Sequence, residues 1–205
     1  MRIGIDFDNT IICYDQLFCD LAKSWQLLDS HWQGNKQAVK EMMHALPEGD
    51  LIWQRLQGKA YGEFIQQATL FVGFKEFIAA ARALSYVEIF IVSHKTELGH
   101  FDEKNISLRD AARDFLQCQG FFDEGPYYIN QSNVFFETTR EEKIERIRSL
   151  QCTHFIDDLT EVLDHPLFPQ SVQRILFQSG AHLHASRAYA TFSTWGDIQH
   201  AIFRT

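Results

Sequence analysis

Short apolar runs rich in β-branched and aromatic residues recur along the chain at Ile3–Phe7, Val87–Val92, Asn133–Phe136, Thr153–Ile156 and Arg174–Phe177. Segments with helical periodicity stand between them. Phe74–Leu84 is Ala-rich, with Phe77, Ile78 and Ala81 at helical spacing, and Ser107–Gln117 places Leu108, Ala111, Ala112, Phe115 and Leu116 on one face behind Ser107 as N-cap. Glu141–Leu150 turns Ile144, Ile147 and Leu150 inward, and Thr139 with Glu142 reads as a capping box. Strands separated by helix-length intervals predict an α/β fold, a mostly parallel five-stranded sheet with helices on both faces.

The interval from about Tyr14 to Leu70 breaks this alternation. Leu17, Phe18, Leu21, Trp25 and Leu28 make one amphipathic face, and Val39, Met42, Met43 and Leu46 make a second. Pro47-Glu48-Gly49-Asp50 reads as a turn, and Leu51–Leu56 and Glu63–Ala68 look helical again. A small all-helical insertion at 14–70 is expected, within a core built from 1–13 and 71–205. It is either a lid or a helical bundle packed on that core.

Composition narrows the class. At 205 residues, with 45% hydrophobic content and 18 Phe, the chain has material for one sizeable core. A net charge of −8 argues against a broad nucleic-acid footprint, which needs clustered Lys and Arg. Cys13, Cys19, Cys118 and Cys152 lack CxxC or Cys/His ligand spacing and read as free thiols of a reducing compartment. No charged-then-apolar leader precedes Ile3 and no apolar run approaches membrane-spanning length, so a soluble cytoplasmic protein is expected.

The candidate chemistry gathers at strand ends. Asp6 and Asp8 are spaced i, i+2 where the first strand runs out, followed by Asn9 and Thr10. Side chains alternate along a strand, so the two carboxylates share a side, at the edge where open α/β sheets bind ligands. Such a pair needs a cation or a proton to hold it. Ser93-His94-Lys95 follows the second strand, Lys143 lies in the first turn of the helix after the third, and Asp157-Asp158 follows the fourth. A cation in a first helical turn opposes the macrodipole, so Lys143 calls for another reason to be there. His94 and Lys95 read as solvent-facing loop residues that could reach a substrate.

Asp6/Asp8, Ser93, Lys143 and Asp157/Asp158 occur in the order and strand positions of the haloacid dehalogenase superfamily, which the chain resembles from Arg2 to about Phe177. That family's pattern is an apolar run ending in Asp-x-Asp-x-Thr/Val, then a Ser or Thr, then a Lys, then an acidic pair. The resemblance implies a Rossmann-like three-layer sandwich with the insert as a helical cap. It implies a Mg²⁺-dependent phosphatase with Asp6 as nucleophile, Asp8 as general acid and base, and Ser93 and Lys143 on the phosphoryl oxygens. Metal ligation would fall on Asp6, the backbone carbonyl of Asp8 and Asp158, with Asp157 orienting a metal water. Asn9 would offer its amide to the phosphate, and Thr10 would bond near Asp8. Family members that displace halide lack the second aspartate, so the resemblance implies phosphate-ester hydrolysis or intramolecular phosphoryl transfer, with hydrolysis the expected reaction and a small phosphorylated metabolite the expected partner. A nucleotidase-type member, or a non-catalytic binder of phosphorylated ligands, is the alternative. A receiver-type signalling domain fits poorly, because its phosphoacceptor lies on the third strand.

Overall fold

The apolar runs become strands and the intervals become helices in a computed structural model that describes residues 1–99, 101, 104–179 and 188–203. In chain order the elements are β1 (Arg2–Ile5), β2 (Ile12–Cys13), α1 (Asp15–Ser24), α2 (Lys36–His44), α3 (Gly49–Tyr61), β3 (Thr69–Leu70), α4 (Phe74–Arg82), β4 (Glu88–His94), α5 (Leu108–Cys118), β5 (Val134–Glu137), α6 (Arg140–Ser149), β6 (His154–Asp157), α7 (Thr160–Leu163), β7 (Gln173–Phe177), β8 (Ala190–Phe192) and α8 (Trp195–Phe203). They divide into two units. The first comprises Met1–Ile12, Leu70–Lys95 and Gln119–Thr205; the second comprises Cys13–Thr69 and Thr96–Cys118. The second unit therefore takes in 96–118, with α5, as well as the stretch expected as an insert.

In the first unit six strands, not the expected five, pair in the order β5-β4-β1-β6-β7-β8. Every pairing is parallel. The sixth is β8, which pairs Ala190, Thr191 and Phe192 with Ile175, Leu176 and Phe177. Three residues carry too short a pattern to be read as a strand, and the register with β7 supplies what the pattern lacks. Counted within this sheet alone, the order is 3-2-1-4-5-6, so the chain reverses direction across the sheet between β1 and β6. Ligands of such sheets bind at that reversal, beyond the carboxyl ends of the strands.

Alternation along the strands builds two apolar layers. On one face Phe90, Val92, Phe155 and Leu176 join Ile144 and Ile147 of α6 and Val162 and Leu163 of α7. Elsewhere in this unit Phe177 meets Phe71 and Trp195, whose ring also packs against Phe74 and Phe77 of α4. Gly4 in β1 permits the close approach of β6: a Cβ there would lie 2.5 Å from Phe155. The capping box forms as expected, with Thr139 accepting from the Glu142 amide and the Glu142 carboxylate accepting from that of Thr139.

The second unit is helical, around rings. Phe18 stacks on Trp53 at 4.8 Å, and Tyr14 and Tyr61 meet edge-on at 4.9 Å. Asn35 caps α2, and Ser107 caps α5 by accepting from the Asp110 amide. Two expected features differ. Glu63–Ala68 holds only a single 3₁₀ turn, Ile65–Gln67, because α3 ends at Gly62 and the chain straightens into β3. Val39 and Met43 are buried, whereas Met42 and Leu46 are exposed, since α2 ends at His44 and leaves Leu46 in the turn. Trp53 is core. No helix among the described residues is long and apolar enough to cross a membrane.

Candidate active site

The parallel register brings the expected residues to the carboxyl edge of the first unit. Ile5 of β1 pairs with Ile91 of β4 and with Ile156 of β6. The next residue on, Asp6, continues the ladder by donating its amide to Ile156 O at 2.9 Å. Asp157 is likewise one step past Ile156, so Asp6 and Asp157 flank the reversal between β1 and β6. Both carboxylates are buried, at 5% and 0% exposure.

Lys143 lies between them. Its Nζ donates to Asp6 Oδ1 and to Asp157 Oδ2, each at 2.6 Å, and 1% of the residue is exposed. Burial alone works to lower the Lys143 pKa; Asp157 and then Asp6 outweigh it, and the net shift is upward. Desolvating an ammonium costs several kcal/mol, which two carboxylates in direct contact offset. This accounts for a cation in the first turn of α6, against the helix dipole. Burial pushes the Asp157 carboxyl up, against the pull of Lys143. Asp157 Oδ1 also accepts from the Leu159 amide at 2.9 Å.

Ser93 donates to Asp6 Oδ1 at 2.8 Å, and Thr10 reaches Asp6 Oδ2 at 3.5 Å, the limit of a hydrogen bond. Thr10 thus faces Asp6, not Asp8. Asn9 takes the left-handed conformation, φ 58°, and its amide donates to Ile12 O at 3.0 Å, so that donor is engaged within the loop. The loop is pinned further by Trp195, whose Nε1 donates to Thr10 O at 3.1 Å.

Lys95 departs most from expectation. It does not face solvent: 4% is exposed, and its Nζ lies 2.8 Å from Asp8 Oδ2 and 3.1 Å from Oδ1. His94 does face solvent, its Nε2 donating to Thr138 O at 2.8 Å. Once the ladder is seen to run one residue past His94, alternation places Lys95 on the same side as Ser93. Glu137, whose carbonyl accepts from the Lys95 amide at 2.9 Å, and Trp195 carried no sequence signal of their own.

Asp6, Asp157 and Asp158 each offer a carboxylate oxygen, and these oxygens lie within 4.8 Å of one another. Three carboxylates against the one ammonium of Lys143 leave two negative charges, while the Lys95 ammonium lies beside Asp8. An all-oxygen donor set with that deficit suits a hard divalent cation.

No family model and no curated protein matches the sequence. Solved structures do match the fold. A HAD-superfamily hydrolase from Ehrlichia chaffeensis aligns over 99% of this chain and 96% of its own, with 12% identity and a TM-score of 0.55. A HAD family hydrolase from Deinococcus radiodurans, with bound phosphate and sodium, aligns over 99% and 95% at 12% identity and a TM-score of 0.57. A phosphoserine phosphohydrolase-like protein from Francisella tularensis aligns over 98% and 99% at 14% identity and a TM-score of 0.53. The chain has the fold of the haloacid dehalogenase-superfamily hydrolases.

Proposed function

We propose that this protein is a Mg²⁺-dependent phosphatase that hydrolyses a small phosphomonoester through an aspartyl-phosphate on Asp6. The reading rests on one observation: a buried carboxylate at the reversal of the sheet, touched by Lys143 at 2.6 Å and Ser93 at 2.8 Å, with two further carboxylates beside it. The bound phosphate of the Deinococcus hydrolase and the name of the Francisella protein support a phosphorylated substrate.

An Asp6 oxygen attacks phosphorus as the bond to the alcohol oxygen breaks, and Asp8 gives that oxygen its proton. Asp8 then takes a proton from the water that attacks phosphorus and frees Asp6. Ser93 and Lys143 are the donors for the phosphoryl oxygens, where charge spreads in the transition state. Asp6, Asp158 and the Asp8 backbone carbonyl would hold Mg²⁺, which when bound offsets phosphate charge and polarises the phosphoryl group. Asp157 has both oxygens engaged, by Lys143 and by the Leu159 amide, which favours Asp158 as the direct ligand. The helical unit is read as a cap that selects the substrate.

Turnover of p-nitrophenyl phosphate tests this directly. Activity is expected with Mg²⁺, lost on chelation and restored by Mg²⁺. Saturable binding of phosphate esters without release of inorganic phosphate would leave a binder, not an enzyme.

A further inference from the structure

Two lysines are buried at this sheet edge, and the reaction above uses only one of them. Lys143 serves Asp6 and Asp157; Lys95 touches Asp8. A desolvated ammonium is costly, and one not needed at the nucleophile calls for its own account. The position of Lys95 is set at both ends. Its amide donates to Glu137 O at 2.9 Å, extending the β4–β5 ladder past His94, and its ammonium lies 5.5 Å from the centroid of the Phe7 ring. From that anchored position Nζ spans both oxygens of Asp8, at 2.8 and 3.1 Å.

Asp8 itself sits in irregular backbone. It lies beyond the end of β1, makes an isolated bridge to Ile12, and is followed by Asn9 in the left-handed conformation. Its side chain is 20% exposed, against 6% for that of Asp6. A carboxyl on such a loop has rotamers to choose from, and proton transfer to a departing oxygen tolerates few of them.

We infer that Lys95 is a positioning residue for Asp8, fixing the plane of the acid/base carboxyl so that its proton meets the leaving oxygen. This rests on the phosphatase reading. In the step concerned, the Asp6 oxygen–phosphorus bond forms, the phosphorus–leaving-group bond breaks with its electron pair, and the Asp8 proton goes to that oxygen. Lys95 touches neither phosphorus nor the leaving group. Its effect therefore scales with how much the leaving group needs a proton.

Aryl phosphates from 2,4-dinitrophenyl to phenyl phosphate span that need. Lys95→Met keeps the apolar stem over Phe7 and removes the charge. Its kcat/KM should fall about 10- to 100-fold more on phenyl phosphate than on 2,4-dinitrophenyl phosphate, with inhibition by inorganic phosphate unchanged. Asp8→Asn should show the same bias, and the double variant should be no worse than Asp8→Asn alone. Equal loss across the series, or weakened inhibition by phosphate, would mean that Lys95 holds the phosphoryl group, and the inference falls. It falls too if Lys95→Met costs nothing or if the two losses multiply. Should Lys95→Met not fold, Lys95→Arg decides: a smaller loss with the same bias supports the inference, and an unbiased loss or no loss overturns it. If the wild-type protein hydrolyses none of the esters, the phosphatase reading itself fails.

Discussion

The two edges of one parallel sheet treat charge in opposite ways. At the amino edge, Arg2 of β1 pairs with Glu88 of β4 at 2.7 Å, with side chains 39% and 47% exposed. The Arg2 guanidinium also donates to Leu150 O and lies over the Phe90 ring. At the carboxyl edge the same β1 ends in Asp6, bound to Lys143 at 2.6 Å with side chains 6% and 2% exposed. An exposed pair is screened and contributes about 0–1 kcal/mol. A buried trio is costly to assemble and costly to break. Packing alone gives no reason to desolvate charge at one edge and leave it wet at the other. On the proposed function, such burial is where a ligand is met by preorganised groups.

The sharpest way to break this contrast is Asp6→Asn. The amide nearly preserves shape and is a poor nucleophile, so turnover should drop by 10³-fold or more with the fold intact by circular dichroism. Full activity in the folded variant would end the covalent mechanism and leave the buried trio a structural device. Next in size is a paired comparison. Lys143→Met strands Asp6 and Asp157 without their cation, so denaturant unfolding should register a loss of about 3–5 kcal/mol along with most of the turnover. Glu88→Gln, at the wet edge, should cost no more than about 1 kcal/mol and leave turnover unchanged. Similar losses for the two variants would erase the distinction between the edges.

The sequence reveals the carboxyl edge unevenly, and the reason is topological. In a parallel sheet every strand ends on the same side, so Asp6, Ser93 and Asp157 could be brought together on paper by finding strands and reading their last residues. The helix start at Thr139 was legible from its capping box, and with it the place of Lys143. Side chains beyond strand ends have no such rule. Lys95 looked like a loop residue, because nothing in Ser93-His94-Lys95 says that the ladder to β5 continues one residue past His94. Thr10 falls in the expected loop but meets Asp6 where Asp8 is expected, since the left-handed Asn9 redirects the chain in a way that no periodicity encodes. The strand β8 and the Trp195 that anchors this loop from α8 were invisible for a different cause: three residues make too short a pattern, and their register comes from β7.

The smallest effect belongs to the amino edge and sharpens the comparison from the other side. There, burial works against the charged form of a titratable group and is not outweighed by its neighbours. His154 opens β6 and hydrogen-bonds through Nδ1 to Thr153 Oγ1 at 2.9 Å. Burial lowers its pKa below the ordinary 6.5; a hydrogen bond with Gln173 works the other way, and the N-terminal amine adds a smaller push down. The folded protein thus resists a proton that the unfolded chain accepts near pH 6.5, so unfolding takes up protons as pH falls. The stability tied to neutral His154 is present above pH 6.5 and is lost as pH drops below it. His154→Gln removes this titration while the other histidines still titrate. Denaturant unfolding between pH 7.5 and 5.5 should therefore show a shallower loss of stability in the variant. Parallel curves would mean that His154 accepts its proton as readily in the folded protein as in the unfolded chain. Burial at the amino edge would then not disfavour the imidazolium of His154, and the contrast with the paired charges around Lys143 would be lost.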